Sequence, residues 1–322
     1  MTAIRTVLGG LAVVGALAAG HGVAAPFAYV PNEKAGNVSV IDIASDVVLT
    51  ALPAGTRPRG IAFAGDNLLV TDGQSGELLV IDPTGAKPTR TVNLGSSPEG
   101  VGVSADGKWA AVAVEESNEI KFIDTATWTI AFAVKTQGKN PEHAVFSPDG
   151  KWVYVSAEEA EQVDVVDVAA RREVGTIAVG KRPRGIGFTP DGKLAFVACE
   201  IDGGVFVIDV ATHKTIKRIP AGQYPAGVAV LPSGKRVFVS NGRDASVIAI
   251  DVDSLSVVGT IGVGKRPWNM GVAPDGSRVY VANGRSNSVS VIDTAALTKL
   301  KDITVGELPW GVAIGATGPA AR

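Results

Sequence analysis

Short apolar runs separated by polar turns recur along almost the whole chain. The clearest stretch is Lys265–Gly306, in which RPWNMGVAPDGS, RVYVANGRSN, SVSVIDTAALTKL and KDITVG predict four successive strands. Runs such as GIGF and VFVIDV are apolar at consecutive positions. Such runs are typical of strands that are covered on both faces. The pattern predicts an all-β protein made of short, largely buried strands.

The runs repeat seven times with a nearly constant step. The segment V-I-D, or a close variant of it, places aspartates at Asp42, Asp82, Asp124, Asp167, Asp209, Asp251 and Asp293. The successive steps are 40, 42, 43, 42, 42 and 42 residues. A second mark keeps this step, with prolines at Pro58, Pro98, Pro141, Pro183, Pro225, Pro267 and Pro309. A repeat of this length predicts four-stranded antiparallel blades, and seven copies predict a seven-bladed β-propeller that forms one closed ring.

The phase of the repeat predicts how the ring closes. FAYV at residues 27–30 aligns with the second strand of a blade, whereas LPWGVAIG at residues 308–315 aligns with an inner strand. We therefore expect the N- and C-terminal strands to share the first blade, which leaves no long unpaired edge. Residues 26–322 are predicted to be a single propeller domain.

The N-terminal 25 residues have the pattern of an export signal. Arg5 precedes an apolar stretch of small residues, and a small-residue site near Ala24/Ala25 predicts cleavage there and a periplasmic protein. No second apolar segment follows, so no membrane insertion of the mature protein is expected. The net charge is −2 and no run of Lys or Arg exists, which argues against nucleic acid as a partner. Nothing in the sequence favours an oligomer, so a monomer is the default.

The repeats resemble a known family. YVSAEEAEQVDVVD and YVANGRSNSVSVID resemble the YVTN-type β-propeller repeat. AAPFAYVPNEK, NPEHAVFSPDGKWVYVSAEE, KRPRGIGF and GKRPWNM are similar to the periplasmic propeller associated with PQQ-dependent catabolism. This resemblance implies an accessory role without a catalytic motif, beside a periplasmic quinoprotein dehydrogenase or cytochrome c. It implies no cofactor on this chain and at most an indirect association with PQQ.

One face of the ring is expected to carry the function, because the repeats differ there. That face combines the x-Pro-x-Gly segments with the loops after the second strands. The position after the repeated proline varies, and the next position is glycine except at His143 and Asn269. Glycine there is expected to let the backbones crowd near the axis. The predicted ligand or partner site consists of Arg59, Glu99, Glu142, His143, Arg184, Trp268, Asn269, Arg285 and Trp310. The alternative is that these are solvated loop residues, with the tryptophans capping the channel.

Specific chemistries are limited by the residues available. His143 is the one histidine expected at this face, which argues against a zinc or copper site with several histidines. The candidate oxygen ligands for a hard cation such as calcium are Glu115, Glu116, Glu158 and Glu159. The alternative is that these glutamates are solvated loop residues. Cys199 is the sole cysteine and is interpreted as a buried apolar residue, with a reactive thiol as the alternative.

Three functions remain open from the sequence. The first is a non-catalytic periplasmic binding or scaffold propeller that serves PQQ-dependent alcohol or aldehyde oxidation. The second is a lactonase- or lyase-type enzyme with His143 as the general base. The third is a structural module of the cell envelope.

Overall fold

Seven four-stranded antiparallel sheets make up the fold. The structure, a computed structural model, describes residues 26–85 and 87–319, and these contain 28 strands. The predicted seven-bladed propeller is confirmed. The predicted signal segment, Met1–Ala25, lies outside the described residues. Among the residues described, no helix is long and apolar enough to cross a membrane.

The blades follow one another in chain order. Blade 1 contains β1 (Phe27–Asn32), β2 (Asn37–Asp42) and β3 (Val47–Pro53), and blade 2 contains β4 (Pro58–Ala64), β5 (Asn67–Asp72), β6 (Glu77–Ile81) and β7 (Pro88–Asn93). Blade 3 contains β8 (Pro98–Val103), β9 (Trp109–Val114), β10 (Glu119–Asp124) and β11 (Thr129–Lys135), and blade 4 contains β12 (Pro141–Phe146), β13 (Trp152–Ala157), β14 (Gln162–Asp167) and β15 (Arg172–Ala178). Blade 5 contains β16 (Pro183–Phe188), β17 (Leu194–Cys199), β18 (Gly204–Asp209) and β19 (Lys214–Pro220), and blade 6 contains β20 (Pro225–Val230), β21 (Arg236–Asn241), β22 (Ser246–Asp251) and β23 (Ser256–Gly262). Blade 7 contains β24 (Pro267–Val272), β25 (Arg278–Asn283), β26 (Ser288–Asp293) and β27 (Thr298–Thr304), after which β28 (Ala313–Gly315) returns to blade 1.

The position of a strand within its blade explains its hydrophobic pattern. In β13 and β25 every residue after the first is buried, because neighbouring blades cover both faces. The outer strand β15 instead alternates between exposed and less exposed positions. The predicted reason for the consecutive apolar runs is therefore confirmed.

The core is a ring of interfaces between blades. In the described part of the chain, seven clusters of buried apolar side chains each join two neighbouring blades. Tyr154 of blade 4, for example, packs with Ile186 and Val197 of blade 5. Since each blade buries its faces only against its neighbours, the ring must be closed to complete the core.

Two kinds of repeated turn end the strands. The V-I-D aspartates accept backbone hydrogen bonds from the turn that follows, as in Asp42 Oδ1 with the N–H of Ala44 at 2.9 Å. The Pro-Asp-Gly turns need a left-handed residue, and Gly150 has a φ of 70°. These turns lie on the face opposite the varied loops.

Ring closure follows the prediction. Strand β28 pairs antiparallel with β1, with Tyr29 opposite Ala313 and Phe27 opposite Gly315. An isolated bridge joins Asn32 to Pro309. Blades 7 and 1 are also joined by Tyr280, whose hydroxyl donates to Asp46 at 2.9 Å. The chain ends are thus held by backbone pairing and by side-chain contacts.

A chain that ends at Leu308 is expected to lose its cooperative fold. It lacks β28 and the buried side chains Trp310 and Val312, so the last interface stays open. We expect a melting temperature lower by more than about 10 °C, or no soluble protein, in a thermal melt followed by circular dichroism. A chain that ends at Gly318 keeps the closing strand and is the control. A parent-like melting temperature for the shorter chain would contradict this account of closure.

Candidate functional site

The site begins with a bulge in the inner strands. In blade 2, Pro58 pairs with Asp72, but the next pair is Ile61 with Val70, so the inner strand holds one extra residue. The same shift occurs after the repeated proline of β8, β12, β16, β20 and β24. A bulge interrupts the ladder and redirects side chains. The two residues after each proline therefore form the bulge, and the first of them lines the mouth of the ring in most blades.

Crowding near the axis explains the glycine at the second bulge position. A Cβ at Gly185 would lie 2.5 Å from the carbonyl oxygen of Ala226 in the next blade. A Cβ at Gly100 would lie 2.7 Å from His143 Nδ1. Real side chains do not tolerate such distances, so glycine is required where the neighbouring strand is this close. The predicted role of this glycine is confirmed.

The bulges and the second-strand loops enclose a cavity of about 250 Å³. Its lining side chains are mostly charged. They belong to Arg57, Arg59, Glu115, Glu142, His143, Glu158, Arg182, Arg184, Glu200, Ala226, Arg266, Trp268, Asn269 and Trp310. The varied face therefore forms a polar pocket on the axis of the ring.

Most of the predicted site residues meet in this cavity. Seven of the nine line it: Arg59, Glu142, His143, Arg184, Trp268, Asn269 and Trp310. Glu99 lies behind the wall, fully buried and paired with Arg59. Arg285 is exposed and does not line the cavity.

The sequence reasoning missed three arginines that stand directly before the repeated proline. We call Arg57, Arg182 and Arg266 the rim arginines, and Arg59 and Arg184 the inner arginines. At the repeated proline the predicted site includes only residues that follow it, although R-P is visible three times in the seven repeats. The backbone of the residue before the proline is left-handed in most blades, with a φ of 58° at Arg182 and 54° at Arg266, but not at Arg57. Such a backbone is unfavourable for residues other than glycine and is held by the surrounding structure.

His143, Asn269 and Trp310 form the floor of the cavity. All three also line the channel that continues below along the axis. The His143 and Trp310 ring centroids are 5.5 Å apart, and Asn269 Nδ2 donates to the carbonyl oxygen of Trp310 at 3.4 Å. The expectation that tryptophans cap the channel thus applies to Trp310. Trp268 lies on the wall, with the guanidinium of Arg266 5.8 Å from its ring.

Arg184 is the centre of the larger ion-pair network. Its Nη1 lies 2.6 Å from Glu142, its Nη2 2.7 Å from Glu158 and its Nε 3.0 Å from Glu200. Two rim arginines share these carboxylates. Arg182 Nε lies 2.7 Å from Glu158, and Arg266 Nη2 lies 2.9 Å from Glu200. Each carboxylate therefore meets at least one guanidinium.

A second network lies at blade 2. Arg59 pairs with the buried Glu99 and, at 3.2 Å, with Glu33. Arg57 Nε reaches the same Glu33 oxygen at 3.0 Å. Arg59 Nε, Glu33 Oε2 and Glu99 Oε2 are buried without a hydrogen-bond partner among the described residues. Buried polar atoms of this kind call for water or a ligand, because leaving them unpaired is costly.

The charges shift several pKa values. Burial raises the pKa of Glu99 to about 7, the nearby Glu142 adds to the rise and Arg59 opposes it. Burial also favours a raised pKa at Glu142, but Arg184 and His143 hold that pKa below its usual value. Burial lowers the pKa of His143, opposed by Glu142 and assisted by Arg184. The imidazole is therefore neutral at neutral pH, while Glu99 takes up a proton near that pH.

The four glutamates considered as cation ligands are divided by the fold. Glu115 and Glu158 line the cavity, whereas Glu116 and Glu159 are exposed. Within residues 26–85 and 87–319, no three His, Cys, Asp or Glu side chains are arranged to hold a metal ion. In the described structure the four glutamates therefore do not form one cation site.

Cys199 is fully buried at the end of β17. Burial raises the pKa of its thiol to about 12, which disfavours a reactive thiolate. This agrees with its interpretation as a buried apolar residue.

Comparison with known proteins gives the fold and one family match. Residues 169–310, which is less than half of the chain, match the family described as "Lactonase, 7-bladed beta-propeller". The match includes the rim arginines Arg182 and Arg266 but not His143. No curated protein matches.

The solved structures similar to this chain include the following two. Kuenenia stuttgartiensis hydrazine synthase is 25% identical, with a TM-score of 0.77, over 83% of this chain and 92% of that chain. A functionally unknown protein from Desulfotomaculum acetoxidans DSM 771 is 17% identical, with a TM-score of 0.80, over 91% of this chain and 99% of that one. The second likeness shows the fold alone.

Replacing Glu99 by Gln is expected to change how stability depends on pH. The pKa of Glu99 is higher in the folded state, so the folded protein binds more protons and loses stability as pH rises from about 4.5 to about 7. The Gln variant lacks this loss and should gain up to about 3 kcal/mol relative to the parent between pH 4.5 and pH 8. Urea unfolding of both proteins at the two pH values measures the difference.

Glu116→Gln, at an exposed glutamate on the same face, is the matched control. A stability difference between parent and Glu99→Gln that is the same at both pH values would show that the buried carboxyl does not titrate in this range.

Proposed function

We propose that this chain is a ligand-binding propeller whose charged cavity takes a small organic anion, a carboxylate above all. The observation that carries the proposal is the way the rim arginines are held. In the described structure each is fixed to glutamate through one guanidinium nitrogen: Nε in Arg57 and Arg182, and Nη2 in Arg266. The remaining N–H groups stay available at the cavity.

The inner arginines have a different role. Arg184 uses all three guanidinium nitrogens on carboxylates, and Arg59 uses two. They neutralise the buried glutamates and so keep them from repelling an anion. Five arginines and four glutamates line the cavity, and Glu33 and Glu99 pair with two of these arginines from behind the wall. The anion is therefore expected to bind through the free guanidinium N–H groups and not through a net positive charge. Guanidinium groups bind carboxylates with two parallel hydrogen bonds, which favours this ligand class.

The size and floor of the cavity restrict the ligand. A volume of about 250 Å³ is below the usual range for drug-sized ligands, so a molecule of a few carbon atoms fits best. Trp310 and His143 give it a flat surface beneath the arginines. An aliphatic or flat carbon skeleton would rest there, with its carboxylate at the rim.

We further propose that binding serves PQQ-dependent alcohol or aldehyde oxidation in the periplasm, beside a quinoprotein dehydrogenase or cytochrome c. This finer proposal is supported by the resemblance of the repeats to YVTN-type and PQQ-associated propellers and by chemistry, since alcohols and aldehydes are oxidised to carboxylic acids. When periplasmic extract is passed over the immobilised protein, such a partner should be retained. If neither a quinoprotein dehydrogenase nor a cytochrome c is retained, the proposed accessory role is refuted.

Carboxylate binding should depend on charge and on the rim arginines. In isothermal titration calorimetry we expect butyrate to bind and its neutral isostere butyramide to bind at least about tenfold more weakly. Arg182→Gln should weaken butyrate binding by about tenfold or more, because a pair of charge-assisted hydrogen bonds is lost.

Arg285→Gln is the matched control, since Arg285 is exposed on the same face and lies outside the cavity. Melting temperatures of both variants report whether the ring is intact. Equal affinity for butyrate and butyramide, or equal losses in the two variants, would refute the proposed site.

A second candidate function is hydrolysis of a lactone. The neutral imidazole of His143 at the cavity floor and the partial match to a lactonase family favour it. His143 would take a proton from water as the water oxygen attacks the lactone carbonyl, and the ring C–O bond would break to give a hydroxy acid. The rim arginines would then hold the new carboxylate.

His143→Ala separates the two candidates. If the chain is a lactonase, hydrolysis of δ-gluconolactone, followed by acid release, should fall by about 100-fold or more in the variant. The parent rate should be retained below pH 6.5, because the pKa of His143 is lowered. If the chain only binds, the parent hydrolyses no faster than buffer, and the variant still binds butyrate.

A further inference from the structure

We infer that the natural ligand carries two anionic groups, as a short dicarboxylate does. This inference rests on the proposed carboxylate binding and specifies the ligand. The motif R-P-R-G occurs twice in the chain, at residues 57–60 and 182–185. The two copies belong to blades 2 and 5, which are three steps apart and so lie on opposite sides of a seven-membered ring.

The two copies form separate poles of one cavity. We call Arg57 with Glu33 the blade 2 pole, and Arg182, Arg266 and Glu200 the blade 5 pole. Glu33 binds Arg57 at 3.0 Å, whereas Glu200 binds Arg182 at 3.3 Å and Arg266 at 2.9 Å. Among the described residues, no glutamate forms an ion pair with arginines of both poles. Each pole is therefore organised independently and can bind one carboxylate.

In both R-P-R-G motifs the two arginines differ in side-chain exposure in the same way. The first is more exposed, with 35% of the Arg57 side chain and 40% of the Arg182 side chain accessible. The second is largely buried, at 18% for Arg59 and 19% for Arg184. The same difference in exposure recurs on opposite sides of the ring, which argues that the two motifs have the same role. One anionic group bound at each pole accounts for this arrangement.

The region between the poles suits an uncharged linker. The floor beneath both poles consists of His143, Asn269 and Trp310, and the imidazole is neutral at neutral pH. With a cavity of about 250 Å³, only a few methylene groups fit between the two carboxylates. A short α,ω-dicarboxylate therefore fits better than a longer or a singly charged acid.

The test compares glutarate with its half-amide and with butyrate in calorimetry on the parent protein. Glutarate should bind at least about tenfold more tightly than the half-amide, because only glutarate engages both poles. A series from malonate to adipate should show one preferred length. Arg57→Gln should abolish the preference, so that glutarate and the half-amide bind within about twofold of each other.

Controls keep the outcomes distinct. Arg285→Gln should keep the full preference, and Arg57→Lys, which retains the charge without the guanidinium fork, should keep part of it. Equal binding of glutarate, half-amide and butyrate by the parent would overturn the two-pole inference and leave carboxylate binding intact. If none of the acids binds, the proposed function itself fails. A preference that survives in a folded Arg57→Gln protein would also overturn the inference.

Discussion

The close approach of the inner strands around the axis determines the rest of this molecule. The strands are so near that a Cβ at Gly185 would lie 2.5 Å from the carbonyl oxygen of Ala226. Six of the seven inner strands carry a bulge directly after the repeated proline. One bulge residue is confined to the backbone contact, and the other is turned to the mouth. The geometry that closes the ring is thus also the geometry that gathers functional side chains on its axis.

Gathering charged side chains in a narrow space creates an electrostatic problem, which the site solves by pairing. Removing a carboxylate from water is costly unless a positive charge and hydrogen bonds replace the lost hydration. Arg184 does this for three glutamates from two blades. Glu99 is matched less completely, because burial raises its pKa and Arg59 only partly opposes the rise. A buried ion-pair network contributes little net stability, but it fixes the positions of its members.

The sequence predicted the fold well because the blade pattern is local and is repeated seven times. It also predicted Arg59, Arg184 and Trp310, which follow the repeated proline directly. It missed Arg57, Arg182 and Arg266, which stand before the repeated proline. A residue there is expected to be extended, but Arg182 and Arg266 are left-handed. Arg285 was predicted to belong to the site but lies outside the cavity. The backbone of its loop packs on the cavity wall at Gly284, close to Trp268, and the Arg285 side chain faces solvent. Contacts between blades set these details, and no single repeat contains them.

The residues that flank the repeated proline have a consequence for how such a site evolves. They occupy two positions in each blade, and none of them belongs to the apolar clusters that join neighbouring blades in the described structure. A substitution at one of them changes the chemistry of the mouth while the blades keep their packing. Each blade therefore contributes its own pair of residues to the mouth, and the combination of these pairs sets the chemistry of that surface. Duplication of a blade followed by small changes at these positions would yield new ligand preferences without a new fold.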